Sequence, residues 1–92
     1  MMHLRCHEIS KGLRASESIV TVKDWQGKKD FLRLETGMIF FDNGFGWLPV
    51  GEISEDKSQN VVLIEYPQES ERGNWRIWAS TTDLLEYQQA TV

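Results

Sequence analysis

No apolar run in this chain is longer than four residues, and the two longest are Met38–Phe41 and Val61–Ile64. Runs of that length, broken by turn residues, fit short strands and fall far short of the roughly twenty residues that cross a bilayer as a helix. The local composition points the same way. Ile19, Val20, Thr21 and Val22 are β-branched within Ser18–Asp24, and such side chains pack better on a pleated surface than on a helix. The tetrad Trp25-Gln26-Gly27-Lys28 follows as a turn, with Gly27 free to take a positive φ, and Lys29–Glu35 then alternates. Leu32 and Leu34 fall on one face and Phe31 and Arg33 on the other, so the two segments read as a hairpin.

Asp42-Asn43-Gly44 between Met38–Phe41 and Phe45–Leu48 signals a second hairpin, because Asn-Gly suits the positive φ angles of a tight turn. The strand is expected to continue through Val50 and Ile53, with Pro49 marking an edge or a bend. Ser54–Asn60 reads as a polar turn, Val61–Tyr66 as a strand stopped by Pro67, and Gln68–Asn74 as a loop. Trp75–Ala79 reads as the last strand, with Trp75, Ile77 and Ala79 on one face and Arg76 and Trp78 on the other. Ser80 and Asp83 have capping-box spacing, which predicts a short helical turn carrying Leu84, Leu85 and Tyr87. Residues 1–15 are expected to be loosely held and 87–92 to fray.

The predicted fold is therefore mainly β: a single small antiparallel domain over residues 1–92, with residues 16–86 closing into a partly open barrel. Trp47-Leu48-Pro49-Val50-Gly51-Glu52-Ile53, the run Val61–Glu65, and Arg76-Ile77-Trp78-Ala79 followed by Ser80–Leu85 resemble the layout of SH3-like and PRC-type small β-barrels. The likeness lies in the layout of residues 16–86 and not in a motif matched residue by residue. It implies a scaffold for protein contacts, such as an adaptor subunit or a part of RNA-linked machinery, and no particular activity.

With 92 residues, one core uses most of the large apolar side chains, leaving few for function. Fourteen acidic against ten basic residues give a net charge of -4, which disfavours nonspecific nucleic-acid binding driven by phosphate neutralisation. The charge is uneven: seven basic and six acidic residues precede Trp47, and three and eight follow from there. A basic face from Arg5, Lys11, Arg14, Lys28, Lys29 and Arg33 is the arrangement nucleic acid would need, and scattered solvated charges are the simpler account. Arg5, Glu8, Lys11, Arg14 and Glu17 interrupt the first twenty residues, so no signal-peptide core is present there. With the lone Cys6, this leads to the expectation of a cytoplasmic, non-membrane protein.

Catalytic apparatus is not visible in the sequence. His3, Cys6 and His7 place three metal-ligating groups within five residues, but the chain has no other His or Cys to close a four-ligand site. The cluster is taken as incidental, and no metal or cofactor is expected. A Ser or Cys nucleophile would need a positioned base, and both histidines lie near the chain start. Glu52, Glu55, Asp56, Glu65, Glu69 and Glu71 read as solvated charges, and Gly44-Phe45-Gly46 is too short for a phosphate-cradling loop.

Four tryptophans in a chain this small stand out. Trp75 and Trp78 belong to opposite faces of one expected strand, so both cannot be equally buried in a half-solvated sheet. The resulting expectation is a non-catalytic interaction module with a surface patch of Phe45, Trp47, Tyr66, Trp75 and Trp78, rimmed by Glu65, Glu69 and Glu71. A protein partner with a basic surface would suit that rim, and edge-strand pairing would make a homodimer. The alternative is single-stranded nucleic-acid binding, with bases stacked on the aromatic rings.

Overall fold

The structure, a computed structural model, describes residues 1–86. Nine strands are present among them: β1 (Met2–Cys6), β2 (Glu8–Lys11), β3 (Glu17–Lys23), β4 (Lys29–Glu35), β5 (Phe40–Asp42), β6 (Phe45–Asp56), β7 (Val61–Glu65), β8 (Arg76–Ser80) and β9 (Leu84–Glu86). Strands take up 59% of the described residues and 3-10 turns 7%, so the mainly β, antiparallel reading holds. No helix among these residues is long and apolar enough to cross a membrane.

The strands form two sheets. One runs β8-β7-β6-β1-β9 with β5 also paired to β6, and the other runs β2-β3-β4. Their inner faces share one core, with Leu4, Leu48, Val50, Val62, Ile64 and Ala79 meeting Val20, Val22, Leu32 and Leu34. Period-two spacing accounts for this: residues 20 and 22, 32 and 34, and 48 and 50 each point to one side of their strand.

Closure into a barrel is not found. The chain crosses from one sheet to the other at His7, whose N–H donates to the Thr21 carbonyl at 2.7 Å. On the far side, β4 and β8 do not pair. Isolated backbone bonds bridge that side instead, from Trp25 N–H to the Trp78 carbonyl and from Glu71 N–H to the Phe31 carbonyl, both 2.8 Å.

The two expected hairpins are present. Lys23 opposes Lys29 at the end of the first, and Asn43 and Gly44 make the second turn with φ of 53° and 81°. Several boundaries differ from the sequence reading. Met38 belongs to a 3-10 turn (Thr36–Met38) and not to the second hairpin. β6 continues through Ser54–Asp56, past a bulge between Glu52 and Ser54, where a turn was expected. Trp75 lies just outside β8, and Leu84 and Leu85 form β9 instead of extending a helical turn. Ser80 does cap the 3-10 turn Thr81–Asp83, its hydroxyl accepting from Thr82 N–H at 3.3 Å. Tyr87 and the expected frayed tail, 87–92, lie outside the described residues.

The largest correction concerns the first fifteen residues. β1 is an inner strand, paired with β6 from Met2↔Val50 to Cys6↔Gly46 and with β9 from Met2↔Glu86 to Leu4↔Leu84. Leu4 is fully buried and Cys6 nearly so. The charges that interrupt apolar runs here obscured the alternation of Met2, Leu4 and Cys6, of which Leu4 and Cys6 are core residues and Met2 packs against the core, with half-exposed Arg5 between the last two. Pro49 also proves to sit in an inner strand. It opposes His3 on the β1 side, while on its other side the β5 pairing has ended at Trp47 and the β7 pairing begins at Gly51. A missing N–H is tolerated at that handover.

Candidate interaction surface

Asp24 builds the tip of the β3–β4 hairpin. Its N–H donates to the Lys28 carbonyl, and its carboxylate Oδ1 accepts from the N–H groups of Gln26 and Lys28, each at 2.9 Å. This Asx-type turn with Gly27 at φ 83° fixes Trp25, whose N–H reaches the edge strand β8 at the Trp78 carbonyl. Trp25 and Trp78 then line a cleft of about 210 Å³ together with Val61, Gln59 and Asp56. Trp25 is 45% exposed, Trp78 37% and Trp75 54%. Asp56 keeps its charge at the rim: the Ser58 hydroxyl, donating at 2.6 Å, holds its carboxyl below the ordinary value, helped by the N–H groups of Ser58 and Gln59.

The five expected patch residues do not form one surface. Tyr66 is a core residue, 2% exposed, and its place in the patch is withdrawn. Phe45 and Trp47 lie at the other end of the larger sheet. Gly51, Glu65 and Arg76 are in register across β6, β7 and β8, with Trp47 four residues before Gly51 and Trp78 two after Arg76. At about 3.3 Å per residue this separates Trp47 from Trp78 by about 20 Å along the strands. Around Phe45 the Arg5 guanidinium lies 4.4 Å over the ring, and half-buried Trp47 stands opposite Arg5 and Phe40. Trp25 replaces Tyr66 as an aromatic of the Trp78 cleft. Its turn-tip position was visible in the sequence, but its contact with β8 depends on how the two sheets pack.

The acidic rim is largely neutralised. Glu65 pairs with Arg76 at 2.9 Å and Glu71 with Arg33 at 3.7 Å. The basic face is likewise dispersed, since Arg14 pairs with Glu17 and Glu35 while Arg5 lies on Phe45.

His3, Cys6 and His7 do not converge. His3 is buried with its ring 5.4 Å from that of Phe40, while His7 Nε2 lies 3.2 Å from Asp83 Oδ2. Cys6 sits in the core, where burial pushes its thiol up to about 12. No group of three or more potential metal-ligating side chains is found among the described residues.

One buried polar cluster escaped the sequence reading. Asp30, 4% exposed, accepts from Phe31 N–H at 2.8 Å, Tyr66 O–H at 3.2 Å and Asn74 Nδ2 at 3.0 Å. The carboxylate thus fastens β4 to the end of β7 and to the 67–75 loop. Burial, with the Asp30 charge second, raises the Tyr66 hydroxyl above its ordinary value. The signal was present, because Asp30 has the same strand parity as Leu32 and Leu34.

No family model matches this chain, and no curated protein or solved structure shows significant similarity to it.

Proposed function

We propose that the chain is a non-catalytic protein-interaction module that takes an apolar side chain of a partner into the Trp25–Trp78 cleft, with a basic partner residue beside Asp56. One observation carries this reading. A fold that buries fourteen hydrophobic residues among those described leaves Trp25, Trp75 and Trp78 substantially exposed near one sheet edge. Tryptophan is the residue most enriched at binding hot spots, and leaving its apolar surface in water forgoes stabilisation. The SH3-like likeness fits this use as an analogy of layout, and a cytoplasmic setting fits the free, buried Cys6 thiol.

The test compares Trp78→Ala with the parent chain against a partner recovered by affinity capture. Binding should fall by tenfold or more, about 1.4 kcal/mol, with a smaller loss in unfolding free energy and weaker association as salt rises. Equal losses in binding and stability would make Trp78 a packing residue and end the proposal. Self-association through the exposed strand β2 is the variant reading, and light scattering over a concentration series separates it.

A second reading, single-stranded nucleic-acid binding, is favoured by Lys28 and Lys29 following Trp25 on the same hairpin. Tryptophan quenching by mixed oligonucleotides at low salt supports it, and unchanged fluorescence removes it.

A further inference from the structure

A second concavity, about 220 Å³, borders the same hairpin, and its walls carry Lys28, Lys29, Arg72 and Arg76. These are four of the ten Lys and Arg residues of a chain whose net charge is -4. Lys23 adds a fifth positive charge nearby, because it stands directly across the ladder from Lys29. Like charges in that position destabilise a strand pair, so the hairpin holds a repulsion that an anion would relieve. Lys28, Lys29 and Arg72 make no ion pair among the described residues, Arg72 lying 5.9 Å over the Phe31 ring, whereas Arg76 pairs with Glu65.

The cleft also contains Asp24 and Asp30. Both carboxylates are occupied by neutral donors: Asp24 by two turn N–H groups, and Asp30 by Phe31 N–H, Tyr66 O–H and Asn74 Nδ2. With Lys23 beside Lys29 and Glu65 on Arg76 both counted, five positive against three negative groups leave a local excess of +2. The volume falls below the roughly 300 Å³ at which pockets for drug-sized ligands begin, so the cleft suits a single compact group. Arginine matches phosphoryl oxygens through its fork of donors, and lysine supplies point charge.

We propose that the cleft between the β3–β4 hairpin and β8 binds a phosphate-type dianion, either as the free ion or as the phosphoryl group of a larger ligand. The site is separate from the Trp25–Trp78 cleft; it shares Lys28 and Lys29 with the nucleic-acid reading but does not rest on that reading or on the apolar one.

The test is an amide NMR titration of the full chain with inorganic phosphate, against chloride at matched ionic strength. Saturable shifts confined to residues 23–30 and 70–77 are expected with phosphate alone. The double variant Lys29→Ala/Arg72→Ala should weaken binding by about fivefold or more, the worth of at least one exposed ion pair. Both side chains are exposed, so a dispersed spectrum should confirm that the variant folds. Phenyl phosphate binding more tightly than inorganic phosphate would assign the site to a phosphomonoester, and weaker binding would assign it to the free ion; either supports the site. Shifts that fail to saturate, shifts reproduced by chloride, equal affinity for the monoanion dimethyl phosphate, or undiminished affinity in the double variant would each overturn it.

Discussion

Replacing Tyr66 with Phe removes one hydroxyl from the interior and leaves the ring that packs in the core. The hydroxyl donates to Asp30 Oδ2 at 3.2 Å, and both residues are at least 95% buried. Hydrogen bonds to charged groups contribute about 1.5–3 kcal/mol. The distance here is at the long end of the range, and Asp30 keeps its bonds from Phe31 N–H and Asn74 Nδ2, so the expected loss at pH 7 is about 1–2 kcal/mol. Alkaline pH adds a signature that simple packing damage would lack. The folded-state value of Tyr66 lies above its ordinary 10.0, so its contribution is fully present below pH 10 and is lost as pH rises toward the folded value. From pH 10 to 11 the parent chain should lose about 1 kcal/mol that Tyr66→Phe does not lose. Titrations common to both proteins cancel in the difference. Urea unfolding of the pair at pH 7, 10 and 11 measures the gap, which should shrink over the last step. A gap under about 0.3 kcal/mol at pH 7, or one that stays constant to pH 11, would refute the assigned role of the Asp30–Tyr66 bond.

Three further outcomes follow from the same structure. Leu4→Ala empties a fully buried position on an inner strand and should cost about 2–5 kcal/mol in urea unfolding; a loss under 0.5 would mean that residues 1–6 do not belong to the core. Gly44→Ala meets open space but must hold φ near 81°, so thermal unfolding should show a loss of about 1 kcal/mol from backbone strain alone. Cys6, buried and with its thiol pushed up to about 12, should resist alkylation by iodoacetamide at pH 8 in the native protein and react readily in urea, as mass spectrometry would show.

Neighbouring residues set the strand identities, and these could be read along the chain. Val20 and Val22, Leu32 and Leu34, and the Asn43-Gly44 turn each carry their instruction within a few positions, because pleat parity and positive φ are local properties. Residues distant in sequence decided the rest. β1 became an inner strand only because β6 and β9 both needed a partner, a pairing that no periodicity in five residues announces. Tyr66 went inward because Asp30, 36 positions earlier, offered its hydroxyl a buried acceptor. Trp25 joined Trp78 because two sheets that do not close bring a hairpin tip against an edge strand. Sequence fixes the face a side chain takes on its own strand, whereas sheet pairing and packing fix which faces meet, and both candidate clefts arise from the second kind of choice.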